Sequence, residues 1–279
     1  MVCISMLEEP LGFPYTATMQ ETLQLIHQRR SLRSFSDRPV TEETLRALKE
    51  ATLRAPTAGN MAFYSVIEVT DQAKKDRLAV LCDDQPMIAK APVVWVFLAD
   101  VQKWVNYFVQ SGAVKRAEEA SIVSYRDPGM GDLHLAMQDA IIAAQNAVIA
   151  AEALGLGSCY IGDIIENFEE VRDLLSLKRF TIPATMLIFG YPKEGRQAKT
   201  SPRCPADTIF MPNEYEDLSL KRLEYAYREH EEQRRKVGAL PYDNTATLAD
   251  YYYIRKHTSA FMEEMDRSTR VMFERWDKG

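Results

Sequence analysis

Three arginines and two serines fall within six residues at Arg29-Arg30-Ser31-Leu32-Arg33-Ser34. Guanidinium forks and hydroxyls this close together can form charge-assisted, bidentate hydrogen bonds to a phosphate. The cluster equally suits cations complementing the C-terminus of a short helical pattern that begins near Glu21, so by itself it leaves both readings open. Far along the chain, Lys199-Thr200-Ser201-Pro202-Arg203-Cys204-Pro205 makes a cationic, proline-fixed loop able to provide a second arm to an anion. Between them lie two turns of small residues. Ala55-Pro56-Thr57-Ala58-Gly59-Asn60 joins a helical pattern to a strand pattern and carries two hydrogen-bonding side chains, a composition that lets backbone approach a planar ligand. In Gly155-Leu156-Gly157-Ser158-Cys159-Tyr160-Ile161-Gly162-Asp163, glycines flank a strand whose end exposes backbone N–H groups. Each of these turns also reads as an ordinary connection.

Other chemistries are poorly served. The chain lacks G-x-S-x-G, H-E-x-x-H and Walker patterns, and a dinucleotide fingerprint is unsupported because the strand follows the first glycines of the 155–163 segment. His27, His134, His230 and His257 are scattered, and no metal site is expected. Redox chemistry remains open, because a cofactor can supply the reactive atoms. With 34 Lys+Arg against 40 Asp+Glu in 279 residues the formal charge is −6, which argues against nucleic acid as a partner. Cys3, Cys82, Cys159 and Cys204 are separated by 79, 77 and 45 residues and form no C-x-x-C pair, which suits a reducing, cytoplasmic compartment. The N-terminus, with two glutamates and no cation before its apolar residues, is unlike a secretory signal, and no uninterrupted apolar window is long enough to span a membrane.

These residues need elements to position them. Thr41 followed by Glu42, Glu43 and Thr44 predicts a capped helix running to about Arg54. Tyr64 to Val69 predicts a strand buried on one face, and Pro92 to Ala99 one buried on both. Asp132 to Leu154 predicts a long helix, apolar nearly all round, with Gln138, Asp139, Gln145, Asn146 and Glu152 confined to a narrow polar strip. Ser158 to Ile161 and Pro183 to Pro192 suit two further strands, Phe168 to Leu175 a helix, and 101–131 an irregular stretch. After Tyr215 the composition turns to charged helix. A polar break at Asp243, Asn244 and Thr245 precedes a second helical stretch from about Thr247 to Trp276, whose aromatic residues need a surface to lie on.

Taken in order, RRSLRSFSDRPVTEETL (Arg29 to Leu45), APTAGN (Ala55 to Asn60), AIIAAQNAVIAAEALGLGSCYIG (Ala140 to Gly162) and SPRCP (Ser201 to Pro205), with Asn213 to Tyr215, resemble the FMN-dependent nitroreductase family. The long helix and the late P-R-x-P loop look most like its larger, NADPH-preferring flavin reductase and nitroreductase branch. The match covers roughly 70% of the chain, about residues 20 to 215. Each motif alone is unspecific; four in this order are strong. The resemblance implies an α+β fold with a mixed, mostly antiparallel sheet wrapped by helices, in an intertwined homodimer with FMN sites at the interface. It divides the chain into an FMN-binding domain, 1–215, and a helical C-terminal extension, 216–279, packing on the dimer partner.

Carried over residue by residue, the resemblance assigns the FMN phosphate to Arg29, Arg30, Ser31 and Arg203, with Lys199 as a helper. Arg33 faces the edge of the ring where negative charge appears on reduction. Pro56, Thr57, Ala58 and Asn60 come from the other subunit, and Gln85 bonds the ring's polar edge or the ribityl chain. Tyr160, Ile161 and Gly162 cover one face, and a backbone N–H near Gly162 or Asp163 is aimed at N5, the atom that accepts and gives hydride. The implied activity is a ping-pong transfer of two electrons from NADPH or NADH to a small-molecule acceptor such as a nitroaromatic, a quinone or a flavin. A 2′-phosphate on the nicotinamide donor has candidate partners in Lys103, Lys115, Arg116 and Arg126. Two departures stand out. Met61-Ala62-Phe63-Tyr64 replaces the Gln-Pro-Trp of many relatives, and Asp163 occupies the place of a frequent second glycine. A same-fold reductive dehalogenase or flavin-fragmenting enzyme, and a non-catalytic flavin-binding sensor, are the alternatives.

Overall fold

The computed structural model describes residues 17–194, 200–241 and 245–279, with side chains from residue 21 onward. Four strands, β1 (Tyr64–Glu68), β2 (Val93–Asp100), β3 (Gly157–Ile161) and β4 (Thr181–Gly190), form one sheet in the order β1-β2-β4-β3. All three pairings are antiparallel, and the parallel component is confined to an isolated bridge between Ser31 and Ser158. With eleven α-helices around this sheet among the described residues, the expected α+β class is borne out.

β2 and β4 are central strands whose continuous apolar runs reflect burial on both faces. On one face Trp95, Phe97 and Phe189 meet α7 (Met130–Ala153), whose Ala140, Ala143, Ala144, Ala147 and Ala151 are fully buried. Alanine at these spacings lets the helix lie close to the sheet. On the other face Val94, Val96 and Ile188 pack with Leu78 of α3 (Gln72–Leu81), Ile88 of α4 (Pro86–Lys90) and Val171 of α8 (Phe168–Leu175). α1 (Ala17–Gln28) leads into the arginine cluster. α2 (Glu42–Thr52) begins as its sequence predicts, with the Thr41 hydroxyl accepting the Thr44 N–H at 3.2 Å. α7 is less enclosed than expected, since Leu135, Ile141 and Ile142 are exposed along one side.

Two differences from expectation concern the peripheral segments. The stretch 101–131 is irregular only over 120–129: before that it forms α5 (Gln102–Gln110) and α6 (Ala113–Glu119), short helices whose outer residues are largely exposed. The C-terminal extension is also not one arm. α9 (Leu220–Lys236) and α10 (Leu248–Tyr252) stand apart, but α11 (Ala260–Lys278) packs on its own chain. There Met272 and Trp276 are buried with Phe168, Phe180 and Ile182, and the Trp276 indole donates to the Pro128 carbonyl at 3.0 Å. Met272 and Trp276 thus find within the same chain the surface they require, whereas Phe273 stays exposed. Asp243 and Asn244 of the expected break lie outside the described residues.

Candidate active site

Arg29 continues the last turn of α1, donating its N–H to the Leu25 carbonyl at 2.9 Å, and the chain then straightens along the ends of two strands. The Leu32 N–H donates to the Ser158 carbonyl at 2.8 Å, and the Ser36 N–H to the Tyr191 carbonyl at 2.9 Å. Leu32 and Phe35 turn inward and are buried, whereas Ser31 and Arg33 are exposed. Two glycines make room for this seam. A Cβ on Gly157 would lie 2.5 Å from Leu32 Cδ2, and one on Gly190 would lie 2.7 Å from Phe35 Cδ1. Gly157 therefore serves close packing under the arginine segment.

The electrostatics converge on Arg29. Burial pushes the Tyr160 phenol up to about 12 and raises the Cys159 thiol, and Arg29 opposes both shifts. Arg33 and a hydrogen bond from Ser31 oppose the Cys159 shift as well. Burial likewise raises the Glu152 carboxyl against the attraction of Arg29 and Arg30. The fold thus brings Arg29, Arg30, Ser31 and Arg33 together with the C-terminal end of α7 and with β3. The cluster is underused by the chain itself. Arg29 Nη1 and Ser158 Oγ are buried without a hydrogen-bond partner, and neither Arg29 nor Arg30 closes a salt bridge to Glu152 among the described residues. A buried donor left unpaired costs about 1–3 kcal/mol, and Glu152 Oε1 nearby is buried without a partner too, so these groups are open to a ligand the chain does not itself supply.

Beyond Tyr160 the strand passes into a one-turn 3₁₀ segment, Gly162–Ile165. Tyr160 is half-buried with its hydroxyl donating to Gln145 Oε1 at 3.2 Å. Ile161 is only 1% exposed and its side chain belongs to the core, so what it presents toward Gly162 is backbone. Gly162 is exposed, with nothing within 4 Å of where a Cβ would stand, so a flat ligand has an open approach to its backbone. Asp163 is half-buried and, with Glu166, lies close enough to Cys82 to raise its thiol further after burial has done so. Gln85, in the loop that follows Cys82, donates its Nε2 to the Cys82 carbonyl at 2.9 Å. Glu166 is buried, has an unpartnered Oε2, and is pushed up to about 7 by burial first and then by Asp163, Asp83 and Glu264.

The 55–60 turn is held from another direction. The Asp139 carboxylate, 2% exposed in the middle of α7, accepts the Ala58 N–H through one oxygen and the Phe63 N–H through the other, both at 2.9 Å. Thr57 Oγ1 accepts the Ala62 N–H at 3.1 Å, and Gly59, Asn60 and Ala62 take left-handed backbone angles. Pro56, Gly59 and Asn60 are left exposed, with Thr57 and Ala58 half-buried. Among the described residues no hydrogen bond joins this turn to the arginine segment of the same chain.

Some expected residues stand elsewhere. Arg203 is exposed and donates to its own loop, at 3.2 Å to the Ser201 carbonyl and 3.0 Å to that of Pro202; Lys199 lies outside the described residues. The four cations suggested for a 2′-phosphate have internal partners: Lys103 the Tyr64 carbonyl, Lys115 Glu119, Arg116 the Ser111 carbonyl, and Arg126 Asp132. The residue reading passed over Asp139, Ser158 and Glu166. Asp139 had a usable signal, because it is the single acid between Leu133 and Ala151 and an isolated carboxylate in such a run must be paired. Among the described residues no group of three or more His, Cys, Asp or Glu is arranged to hold a metal, and Cys82, Cys159 and Cys204 are free thiols.

The chain is 33% identical over 205 residues to the oxygen-insensitive NADPH nitroreductase of Salmonella typhimurium, covering 74% of this chain and 79% of that one. It is 30% identical over 240 residues to the FMN reductase [NAD(P)H] of Bacillus subtilis, covering 84% and 92% respectively. The solved structure of the NfrA1 nitroreductase from Bacillus subtilis superposes with a TM-score of 0.74 at 25% identity, over 90% of this chain and 98% of that one. Residues 26–191, which hold the arginine seam, the 55–60 turn, α7 and the glycine turn, match the model of the nitroreductase family. The chain therefore belongs to the nitroreductase family.

Proposed function

We propose that this protein is an FMN-dependent oxidoreductase that takes two electrons from NADPH or NADH and passes them to a nitroaromatic, a quinone or a flavin. The observation that carries the reading is the pair of buried, unpartnered donors, Arg29 Nη1 and Ser158 Oγ, beside Arg30, Ser31 and Arg33. A phosphate dianion there supplies the acceptors these groups lack. When bound, FMN supplies an N5 atom that accepts and releases hydride. The chain's own residues do the rest. Arg29, Arg30, Ser31 and Arg203 hold the phosphate, Arg203 by leaving its loop carbonyls. Arg33 places a fixed positive charge where reduction adds a negative one. Gly162, open to solvent, offers its backbone N–H, and Gln85 a carboxamide, to the polar edge of the ring. Donor and acceptor use the same open face in turn, and solvent supplies protons.

Pro56, Thr57, Ala58 and Asn60 complete the site from a second copy of the chain. Leu135, Ile141 and Ile142 on α7, Leu23 and Ile26 on α1, and Leu220 and Tyr227 on α9 are exposed, which supports a homodimer closing over them. No described helix is long and apolar enough to cross a membrane, and the free thiols suit the cytoplasm. The test is direct. Purified protein titrated with FMN should bind it and then oxidise NADPH with menadione or nitrofurazone as acceptor. Arg29→Ala should weaken FMN binding about 10- to 100-fold, the worth of a hydrogen bond to a charged group. Protein that binds no FMN, or binds it equally well after the substitution, overturns the assignment.

A further inference from the structure

Glu152 stands inside the arginine cluster, and the function proposed above gives it no part. It lies in the last turn of α7, two turns after Gln145 on the same face, and Gln145 accepts the Tyr160 hydroxyl at 3.2 Å. Its Oε1 is buried without a hydrogen-bond partner, as are Arg29 Nη1 and the Oγ of Ser158, a residue that is itself fully buried. The bridge between Ser31 and Ser158 holds the arginine segment against β3 beside them. Arg29 and Arg30 attract the Glu152 carboxyl, yet among the described residues neither closes an ion pair with it, so a gap separates charges that ordinarily meet. One phosphate oxygen can close such a gap. Hydrogen bonds of about 2.8 Å to a guanidinium and about 2.6 Å to a carboxylic acid, made through the same oxygen, span roughly 4 to 5 Å.

The chemistry of that oxygen then requires a proton. A phosphomonoester dianion only accepts hydrogen bonds, and so does an ionised carboxylate, so the two cannot bond unless a proton lies between them. Burial raises the Glu152 carboxyl against the attraction of Arg29 and Arg30, which makes that proton easier to hold. Other groups on the elements packed here do not compete for it. Burial keeps Cys159 and Tyr160 protonated, Arg29, Arg30 and Arg33 are cations, and His27, two residues before Arg29, is exposed. We propose that Glu152 is a binding residue of the phosphate site, sharing one proton between its Oε1 and a phosphate oxygen, so that seating a phosphomonoester dianion draws a proton from solvent. That the ester is FMN rests on the function proposed above; the shared proton rests on the cluster of Glu152, Arg29 and Ser158.

Calorimetry of FMN binding to the full-length protein, in two buffers of unlike ionisation enthalpy at pH 8, counts the protons taken up. The free ester is already dianionic there, its second ionisation lying at about 6. Wild type should take up about one proton per FMN and Glu152→Gln almost none. One proton taken up lowers affinity about tenfold per pH unit, so the ratio of Glu152→Gln to wild-type affinity should rise at least tenfold from pH 7 to 9. The ester's own ionisation cancels in that ratio. Glu152→Ala should show the same rise and serves if the glutamine variant fails to fold. FMN binding without proton uptake, or a ratio that stays flat, overturns the inference and leaves the flavin reading standing. Protein that binds no FMN, but binds inorganic phosphate at pH 8.5 with an uptake that Glu152→Gln abolishes, upholds the shared proton and overturns the flavin reading. Protein that binds neither, or binds phosphate alone and without uptake, overturns both.

Discussion

Glu166 should make the folded protein lose stability as the pH rises from 5 to 8, and Glu166→Gln should remove that loss. The carboxyl is 5% exposed, its Oε2 is buried without a partner, and Asp163, Asp83 and Glu264 repel its charge, so burial and these neighbours push it up to about 7. In the unfolded chain it titrates near 4.5. The folded state therefore holds this proton more tightly, so the favourable contribution is fully present below pH 4.5 and fades as pH rises through 7. The gap between 4.5 and 7, at about 1.4 kcal/mol per pH unit, comes to about 3 kcal/mol, of which roughly 2 is gone by pH 6. The neighbouring Glu264 acts in a separate window. Arg267 above all, opposed by burial, with help from Ser268 and the Asn167 N–H, holds Glu264 down at about 2, so its contribution is lost only as pH falls below 4.5. Urea unfolding at pH 5, 6, 7 and 8, at fixed protein and FMN concentration, measures the difference between wild type and Glu166→Gln. The variant should gain on wild type by about 3 kcal/mol from pH 5 to 8 less what is already lost at pH 5, a net of about 2 to 3. Parallel curves for the two proteins would refute the argument that a buried, repelled carboxyl sits beside the glycine turn.

Three further outcomes follow from the site geometry. Gly157→Ala would set a Cβ 2.5 Å from Leu32 Cδ2 and lift the arginine seam, with a loss of about 1–3 kcal/mol in stability and weaker FMN binding; melts and titrations that match wild type would contradict the seam. Asp139→Asn replaces one of two accepting oxygens by an amide that faces an N–H, so about 2 kcal/mol should be lost and amide exchange should quicken at Ala58 and Phe63; unchanged exchange there counts against the turn's dependence on α7. Arg33→Ala should lower the midpoint potential of the bound flavin, measured by dye equilibration, and an unaltered potential removes Arg33 from the reducible edge.

Short-range features of the fold were open to inspection. The Thr41 cap, the β-branched run of β1, the unbroken apolar run of β2 and the alanine-rich periodicity of α7 each depend on neighbours within a few residues, and each appears where the pattern places it. The same holds for the arginine cluster as a group of donors and for the glycine turn as an exposed strand end. What those patterns could not carry was pairing across long separations. Asp139 reads as part of a polar strip, yet it meets Ala58, 81 residues away, and Phe63, 76 residues away. Gly157 reads only as one of the glycines flanking a strand, yet it makes room for Leu32. The 101–131 stretch reads as irregular, yet its first two thirds fold into two short helices.

The division has a physical cause. Periodicity, caps and local charge density are set by residues one or two turns apart, so the residue types alone give individual helices and strands and a cation-rich segment at Arg29–Arg33, while the α+β class comes with the family resemblance. Which buried donors remain unpaired, which carboxylate is squeezed toward neutrality and which helix face returns to its own core depend on distances between segments that burial of apolar surface brings together. Trp276 illustrates the point: its hydrophobicity demands a surface, but only the packed chain says that the surface is Phe180 and the Pro128 carbonyl of the same molecule.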